Sequence, residues 1–150
     1  MEQGDVVDDF ELPDQTGTVR KLSDFLANGP VVLFFYPAAM TKGCTAESCH
    51  FRDLSAEFAG AGGQRVGISG DTVEKQKEFS DTYEFDYPLL SDVDGTVAKL
   101  FGVKRSFGPI PVKRATFVID RDRKILAVIK SEIRMGVHAD KALEVLRAAS

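Results

Sequence analysis

The sequence predicts the α/β class, on three observations. An unbroken apolar run, Val31 to Tyr36, is followed by a stretch with apolar residues at helical spacing. A second short run, Arg65 to Ser69, comes next, and the three together read as a parallel β-α-β unit. Ala115 to Ile119 and Ile125 to Ile129 flank the charged turn Asp120 to Lys124 and read as an antiparallel hairpin. The chain then closes on a segment, about His138 to Ala148, whose Ala139, Ala142, Leu143 and Leu146 form one apolar stripe, so that a last helix packs on the sheet.

Taken in order, Phe10 to Leu12 and Val19 to Leu22 read as two short strands joined by Pro13 to Gly17, a small N-terminal hairpin in which Gly17 supplies the permissive backbone. Asn28-Gly29-Pro30 punctuates before Val31 to Tyr36, whose continuous β-branched and aromatic character is that of a strand covered on both faces. Pro37 cannot donate to a sheet ladder and ends it, and Ala38 to Met40 cross the top of the sheet. Thr41 is the expected N-cap of a helix reaching Phe58, with Phe51, Leu54 and Phe58 on its buried face and Cys44 in its first turn. Gly60 to Gly63 breaks that pattern, and Arg65 to Ser69 follows as a strand. Asp71, with Glu74 three residues on, looks like a capping box opening a helix over Thr72 to Tyr83 with Val73, Phe79 and Tyr83 inward. Tyr87 to Asp92 reads as a brief strand, Asp94 to Phe101 as a short helix stopped by Gly102, and Ser106 to Pro111 as a loop.

At 150 residues, 43% hydrophobic and 28% charged, the chain fits a single domain over 1–150 with a substantial core. A net charge of −4 with no basic run speaks against nucleic acid and anionic membrane as partners. The acidic start, Met1 to Leu12, lacks the apolar core of a secretory signal, and no apolar run reaches membrane-spanning length, so a cytoplasmic location is expected. Two cysteines in a reducing compartment point to catalysis, redox chemistry or metal binding rather than to structure.

Cys44 holds the chemical interest. The first turn of a helix presents unpaired N–H groups and the positive end of the macrodipole, and both favour thiolate over thiol. Cys49 lies five residues on. Ideal helix geometry separates their Cα atoms by roughly 8 to 9 Å, beyond the ~7 Å limit for a disulfide. Either the two never bond, or the helix unwinds for them to do so. His50 beside Cys49 does not complete the paired spacing of a zinc module, so no metal is expected. His138 reads as a first-turn helix residue rather than a catalytic base, because no triad partners accompany it.

The run Pro37, three residues, Thr41, two residues, Cys44, at the end of an apolar strand, resembles the active-site signature of the peroxiredoxins. With Glu47 and with Cys49 five residues after Cys44 it is similar to the peroxiredoxin Q branch, also called bacterioferritin comigratory protein. The likeness runs from about Gly4 to Arg147. It takes in Asp9 to Leu12 with Gly17 and a short helical turn at Asp24 to Ala27 capped by Ser23. The chain departs at Ala38, where that branch has lysine, and at Lys42, where it has proline; the missing proline is expected to leave the first helical turn looser. The resemblance implies a thioredoxin-like fold with an N-terminal β-hairpin extension, in which the strand at Ala115 runs antiparallel beside the central strand and brings Arg114 next to Cys44.

It also implies a reaction: thiol-dependent reduction of hydrogen peroxide and organic hydroperoxides without metal, flavin or haem. Cys44 would attack the peroxide and become a sulfenic acid, with Thr41, Arg114 and backbone N–H groups holding the substrate and its leaving oxygen. Pro37, Gly43 and Glu47 would support the site, Glu47 by orienting the arginine. Cys49 would resolve the sulfenic acid to a Cys44–Cys49 disulfide, which thioredoxin or a similar dithiol reduces. A monomer or weak homodimer is expected. A thioredoxin-like oxidoreductase is the main competing enzyme, but it wants Cys-x-x-Cys and this chain has four residues between its cysteines. A redox sensor is the non-enzymatic alternative, told apart by its failure to turn over.

Overall fold

The computed structural model describes residues 1–105, 112–131 and 134–149. Along the chain come β1 (Glu11–Pro13), β2 (Val19–Lys21), α1 (Leu22–Leu26), β3 (Val31–Phe35), α2 (Lys42–Asp53), α3 (Ser55–Gly60) and β4 (Gln64–Ser69). There follow α4 (Val73–Tyr83), β5 (Leu89–Ser91), α5 (Thr96–Leu100), β6 (Ala115–Ile119), β7 (Ile125–Lys130) and α6 (Met135–Ala149). β1 and β2 pair as an antiparallel hairpin, and the other five strands form one sheet in the order β5-β4-β3-β6-β7. β3 is central, parallel to β4 and antiparallel to β6. This β-α-β unit with an antiparallel hairpin and a closing helix is the arrangement expected of a thioredoxin-like fold with an N-terminal hairpin added.

The alternation of side chains along β3 builds two cores. Leu33 and Phe35 point to one face, where they meet Phe117 and Ile119 of β6 and Phe25, Val97 and Phe101 from the α1 and α5 side. Val32, Phe34 and Tyr36 point to the other, against Phe51, Phe58 and Phe79 and the α6 stripe of Ala139, Ala142, Leu143 and Leu146. All five residues of β3 are buried, which is why the run reads as continuously apolar in sequence. Phe34 stacks on Phe51 at a ring separation of 4.1 Å and an angle of 7°, a contact worth about 0.5 to 1.5 kcal/mol beyond the area it buries.

Several expectations need correction. The helix after Thr41 is not continuous to Phe58: it ends at Asp53, and α3 begins beyond Leu54. At the break, Arg65 Nη1 donates to the Phe51 carbonyl at 2.9 Å, the acceptor that an unbroken helix offers to the N–H of Ser55. Ser23 does not cap α1. The N-cap position is Lys21, and Ser23 instead donates its Oγ and its N–H to the Asp9 carboxylate at 2.7 and 2.9 Å. The cap of α4 is Thr72, whose hydroxyl accepts from the Lys75 N–H, and not Asp71. On α4 it is Gln76, Phe79 and Ser80 that are buried, while Val73 and Tyr83 are only half-buried. α6 starts three residues ahead of His138. The expected loop at 106–111 lies outside the described residues. No helix among the described residues is long and apolar enough to cross a membrane.

Candidate active site

Cys44 is the third residue of α2 and only 1% exposed. It lies where the register of the sheet delivers Arg114. Ala115 pairs with Phe35, the last residue of β3, so the residue before Ala115 reaches the point where the chain leaves β3 for α2. The guanidinium then bridges two groups on α2. Its Nη2 donates to Cys44 Sγ at 3.1 Å and its Nη1 to Glu47 Oε1 at 2.8 Å. Cys44 and Glu47 are three residues apart on one helix face, the spacing that a planar fork spans. Arg114 is 6% exposed and Glu47 fully buried, so the carboxylate is no solvated first-turn residue: it aims the arginine at the sulfur. Burial by itself would loosen the hold of Arg114 on its proton, but the Glu47 carboxylate and the Cys44 sulfur outweigh it and leave the guanidinium more firmly protonated than usual. The guanidinium and the N-terminal turn of α2 thus both lie at the Cys44 sulfur.

The loop before α2 is held from the end of β4, the parallel strand beside β3. Pro37 follows β3, and the Ala39 N–H donates to Asp71 Oδ2 at 2.7 Å, while Ser69 Oγ donates to the same oxygen at 2.6 Å. Met40 next adopts a left-handed backbone, φ +67°, which turns the chain into the helix. Thr41 stands at the N-cap position with extended backbone, but its hydroxyl makes no cap bond; it donates to the Ala38 carbonyl at 2.9 Å. The side chain is exposed and its oxygen keeps lone pairs for an incoming O–H. Gly43 is half-buried in the first turn between Lys42 and Cys44.

Both cysteines are free. Cys49 is half-buried on the intact α2, and burial pushes its thiol up, with Arg52 offsetting part of that rise. Both cysteines touch the same apolar cluster, but Cys44 is buried within it and receives the guanidinium N–H, while Cys49 packs on its edge. No group of three or more His, Cys, Asp or Glu among the described residues is placed to hold a metal ion.

His138 was not expected at this site. It is fully buried in the first turn of α6, with Nε2 donating to the Ser131 carbonyl at 2.8 Å, Nδ1 2.8 Å from Thr116 Oγ1, and Nε2 3.6 Å from the second carboxylate oxygen of Glu47. The one sequence signal is its phase. His138, Ala142 and Leu146 are spaced four residues apart, so it belongs to the buried stripe of α6.

The AhpC/TSA family model matches residues 3–128. A putative peroxiredoxin of Mycobacterium tuberculosis is 66% identical over 150 residues, covering 99% of this chain and 97% of that protein. The chloroplastic peroxiredoxin Q of Sedum lineare is 40% identical over 140 residues, covering 93% and 74%. Among solved structures, peroxidoxin BcpB of Mycobacterium tuberculosis superposes with a TM-score of 0.96 at 64% identity, covering 100% of this chain and 99% of that one. A peroxiredoxin Q of Xanthomonas campestris does so with a TM-score of 0.86 at 29% identity, covering 94% and 92%. A buried cysteine at a helix start, an arginine aimed at its sulfur and relatives of this kind along the whole length agree with one another, and the chain belongs to the AhpC/TSA family as a peroxiredoxin similar to peroxiredoxin Q.

Proposed function

We propose that Cys44 is the nucleophile of a thiol-dependent peroxidase and that the contact between Arg114 and its sulfur, 3.1 Å, is the observation that carries this assignment. The thiolate attacks one oxygen of the hydroperoxide. A sulfur–oxygen bond forms, the oxygen–oxygen bond breaks, and the alkoxide or hydroxide leaves and takes a proton from solvent, so that sulfur is oxidised to a sulfenic acid and the peroxide is reduced. Arg114 and the free N–H groups at the start of α2 stabilise charge on the leaving oxygen, and Thr41 orients the substrate through its hydroxyl. Glu47 supports by fixing the fork of Arg114, while Pro37 and Gly43 shape the approach to the thiol.

Cys49 then attacks the sulfenic sulfur, water leaves, and a Cys44–Cys49 disulfide forms; a dithiol such as thioredoxin returns both thiols by exchange. The raised Cys49 thiol supports this division of labour, since Cys49 stays protonated while Cys44 reacts. Crystal structures of a bacterioferritin comigratory protein of Xanthomonas campestris bear on alkyl peroxide reduction by that protein, and the proposal extends organic hydroperoxides to this chain. The reaction runs within one domain, in the cytoplasm, on a monomer or weak homodimer, and needs no nucleic acid, membrane or cofactor.

The test is peroxide consumption coupled to thioredoxin, its reductase and NADPH, with Cys44→Ser as control. Many turnovers by the wild type and none by the variant support the assignment. A variant that still turns over places the nucleophile elsewhere, and a wild type that oxidises once and stops is a sensor rather than a peroxidase.

A further inference from the structure

The sites of Cys44 and His138 are joined by a short chain of buried charged groups: Cys44 Sγ to Arg114 Nη2, Arg114 Nη1 to Glu47 Oε1, and Glu47 Oε2 to His138 Nε2 at 3.1, 2.8 and 3.6 Å. All four side chains are nearly or fully out of water. In such surroundings the net charge of the group matters more than any single bond. With Cys44 as a thiol and His138 neutral, Arg114 and Glu47 cancel. Ionising Cys44 alone adds one buried negative charge to these four groups. Protonating His138 as well offsets that added charge.

The hydrogen bonds of His138 permit that change without loss. Nε2 faces a carbonyl oxygen, which only accepts, so this nitrogen carries a hydrogen in either state. Nδ1 faces the hydroxyl of Thr116. When the ring is neutral the hydroxyl donates to Nδ1; when the ring is charged, Nδ1 donates and the hydroxyl oxygen accepts, by rotation about one bond. A buried histidine with two fixed donors, or with an apolar neighbour, would be locked into one state. His138 is not.

Among the described residues, the titratable or charged groups facing this ring from the packed elements are Glu47 on α2 and, through it, Arg114 before β6 and Cys44. Farther out, His50 on α2 is paired with Asp140 of α6 at 2.8 Å, and Lys130 and Arg134 are exposed to water, where their fields are screened.

We infer that His138 is a positioning residue whose protonation is coupled through Glu47 and Arg114 to ionisation of Cys44: as the thiol gives up its proton to solvent, the imidazole takes one up at Nδ1. The imidazolium stabilises the thiolate and the thiolate the imidazolium, so the two titrate as a pair. Oxidation of Cys44 to an uncharged sulfur removes the reason for the charge on His138, and the ring then releases its proton. The inference rests on Cys44 being the group that ionises, and its tests read that thiolate without any peroxide.

Two measurements decide it. The first follows the ring signals of the only two histidines by NMR across pH, in the reduced wild type and in Cys44→Ser. His138 is expected to hold its charge to higher pH in the wild type; identical His138 curves overturn the coupling. The second compares alkylation of Cys44 by iodoacetamide in the wild type and in His138→Gln. The wild type is expected to react roughly tenfold faster on the acid side of neutrality, with the ratio closing toward one in alkali, where the ring is neutral in both. A merely structural role would lower the rate by the same factor at every pH, and that result also overturns it. Should His138→Gln fail to fold, the histidine titrations decide alone. If iodoacetamide shows the coupling while peroxide is not turned over, the peroxidase reading fails and the coupling stands.

Discussion

Replacing Arg114 with lysine separates charge from geometry at the site. Arg114 serves two acceptors at once, Cys44 Sγ at 3.1 Å and Glu47 Oε1 at 2.8 Å, with different nitrogens of one planar group. A lysine ammonium is a single point on a flexible stem. In Arg114→Lys the buried Glu47 carboxylate, with no water to solvate it, takes the ammonium, and the sulfur loses its donor. A hydrogen bond to a charged group contributes about 1.5 to 3 kcal/mol. If that bond is made in the transition state, its loss slows peroxide reduction by roughly ten- to more than a hundredfold. Stability changes far less, because the Glu47 charge keeps a partner. Arg114→Ala, by contrast, takes from the buried carboxylate its partner at 2.8 Å and costs about 3 to 5 kcal/mol, which would confuse unfolding with lost catalysis.

The chain has no tryptophan, so the rate of the lysine variant is best measured by competition for peroxide with a haem peroxidase whose absorbance reports its own share. Urea unfolding of the same sample supplies the stability control. A lysine variant that competes within about twofold of wild type, at the stability expected, would show that positive charge near the sulfur suffices and that the two-pronged geometry is incidental.

Cys49→Ser is expected to spare the first reaction with peroxide and to leave Cys44 as a sulfenic acid open to further oxidation; mass spectrometry should find two hydrogens lost and a Cys44–Cys49 link in the wild type, and an oxygen adduct on Cys44 in the variant. A wild type without that link would make Cys49 a bystander. Thr41→Val removes an exposed hydroxyl that makes no cap bond, so unfolding should hardly change while peroxide reduction falls roughly tenfold, the worth of one lost transition-state hydrogen bond, and Thr41→Ser should restore it. Asp14 tests pH. Its burial would raise its pKa, but bonds from Thr16, Thr18 and Arg20 outweigh that and hold it below the usual aspartate range. A lowered carboxylate stabilises the fold above its unfolded value of about 3.9 and loses that contribution as pH falls through the lower folded value. Thermal unfolding should therefore show Asp14→Asn less stable than wild type at neutral pH, with the gap closing below about pH 4; a gap that persists in acid would trace the loss to shape rather than charge.

The parts of this site legible in the sequence are those set by local pattern and strand register. The run Val31 to Tyr36 demands a doubly covered strand, Pro37 must end it, and once the strand beginning at Ala115 lies antiparallel to it, Arg114 has nowhere to go but beside Cys44. What stayed hidden depends on side chains that reach far along the chain. Arg65 donates to the Phe51 carbonyl where α2 ends, and nothing in Phe51 to Phe58 foretells that contact. Asp71 looked like a cap because Glu74 follows at the right distance, yet its carboxylate is spent on Ala39, 32 residues back. His138 belongs by phase to an apolar stripe, and only the meeting of α6 with Glu47 gives that placement a chemical meaning.

The proposed cycle requires α2 to open between Cys44 and Cys49, and the contacts of the helix say which end yields. Its second half is held on several sides: Phe51 is stacked on Phe34, the Ser48 carbonyl accepts from the Tyr87 hydroxyl at 2.7 Å, the Phe51 carbonyl from Arg65 at 2.9 Å, and Arg52 donates to the Tyr83 carbonyl at 2.8 Å. Among the described residues the first turn has fewer ties, the packing of Cys44 in the apolar core and the bond from Arg114 to its sulfur. Lys42 is exposed, Gly43 has no side chain to pack, and the Thr41 side chain leaves the helix start uncapped. Cys44 is held inward by its apolar packing and by the bond from Arg114, and a donor bond of this kind is strongest to a charged sulfur. Oxidation to a sulfenic acid removes that charge. The interaction that prepares the thiolate for attack is therefore weakened by the product of the attack, and the first turn, with fewer ties among the described residues than the second half, is the part of the helix that can carry Cys44 toward a Cys49 that stays in place.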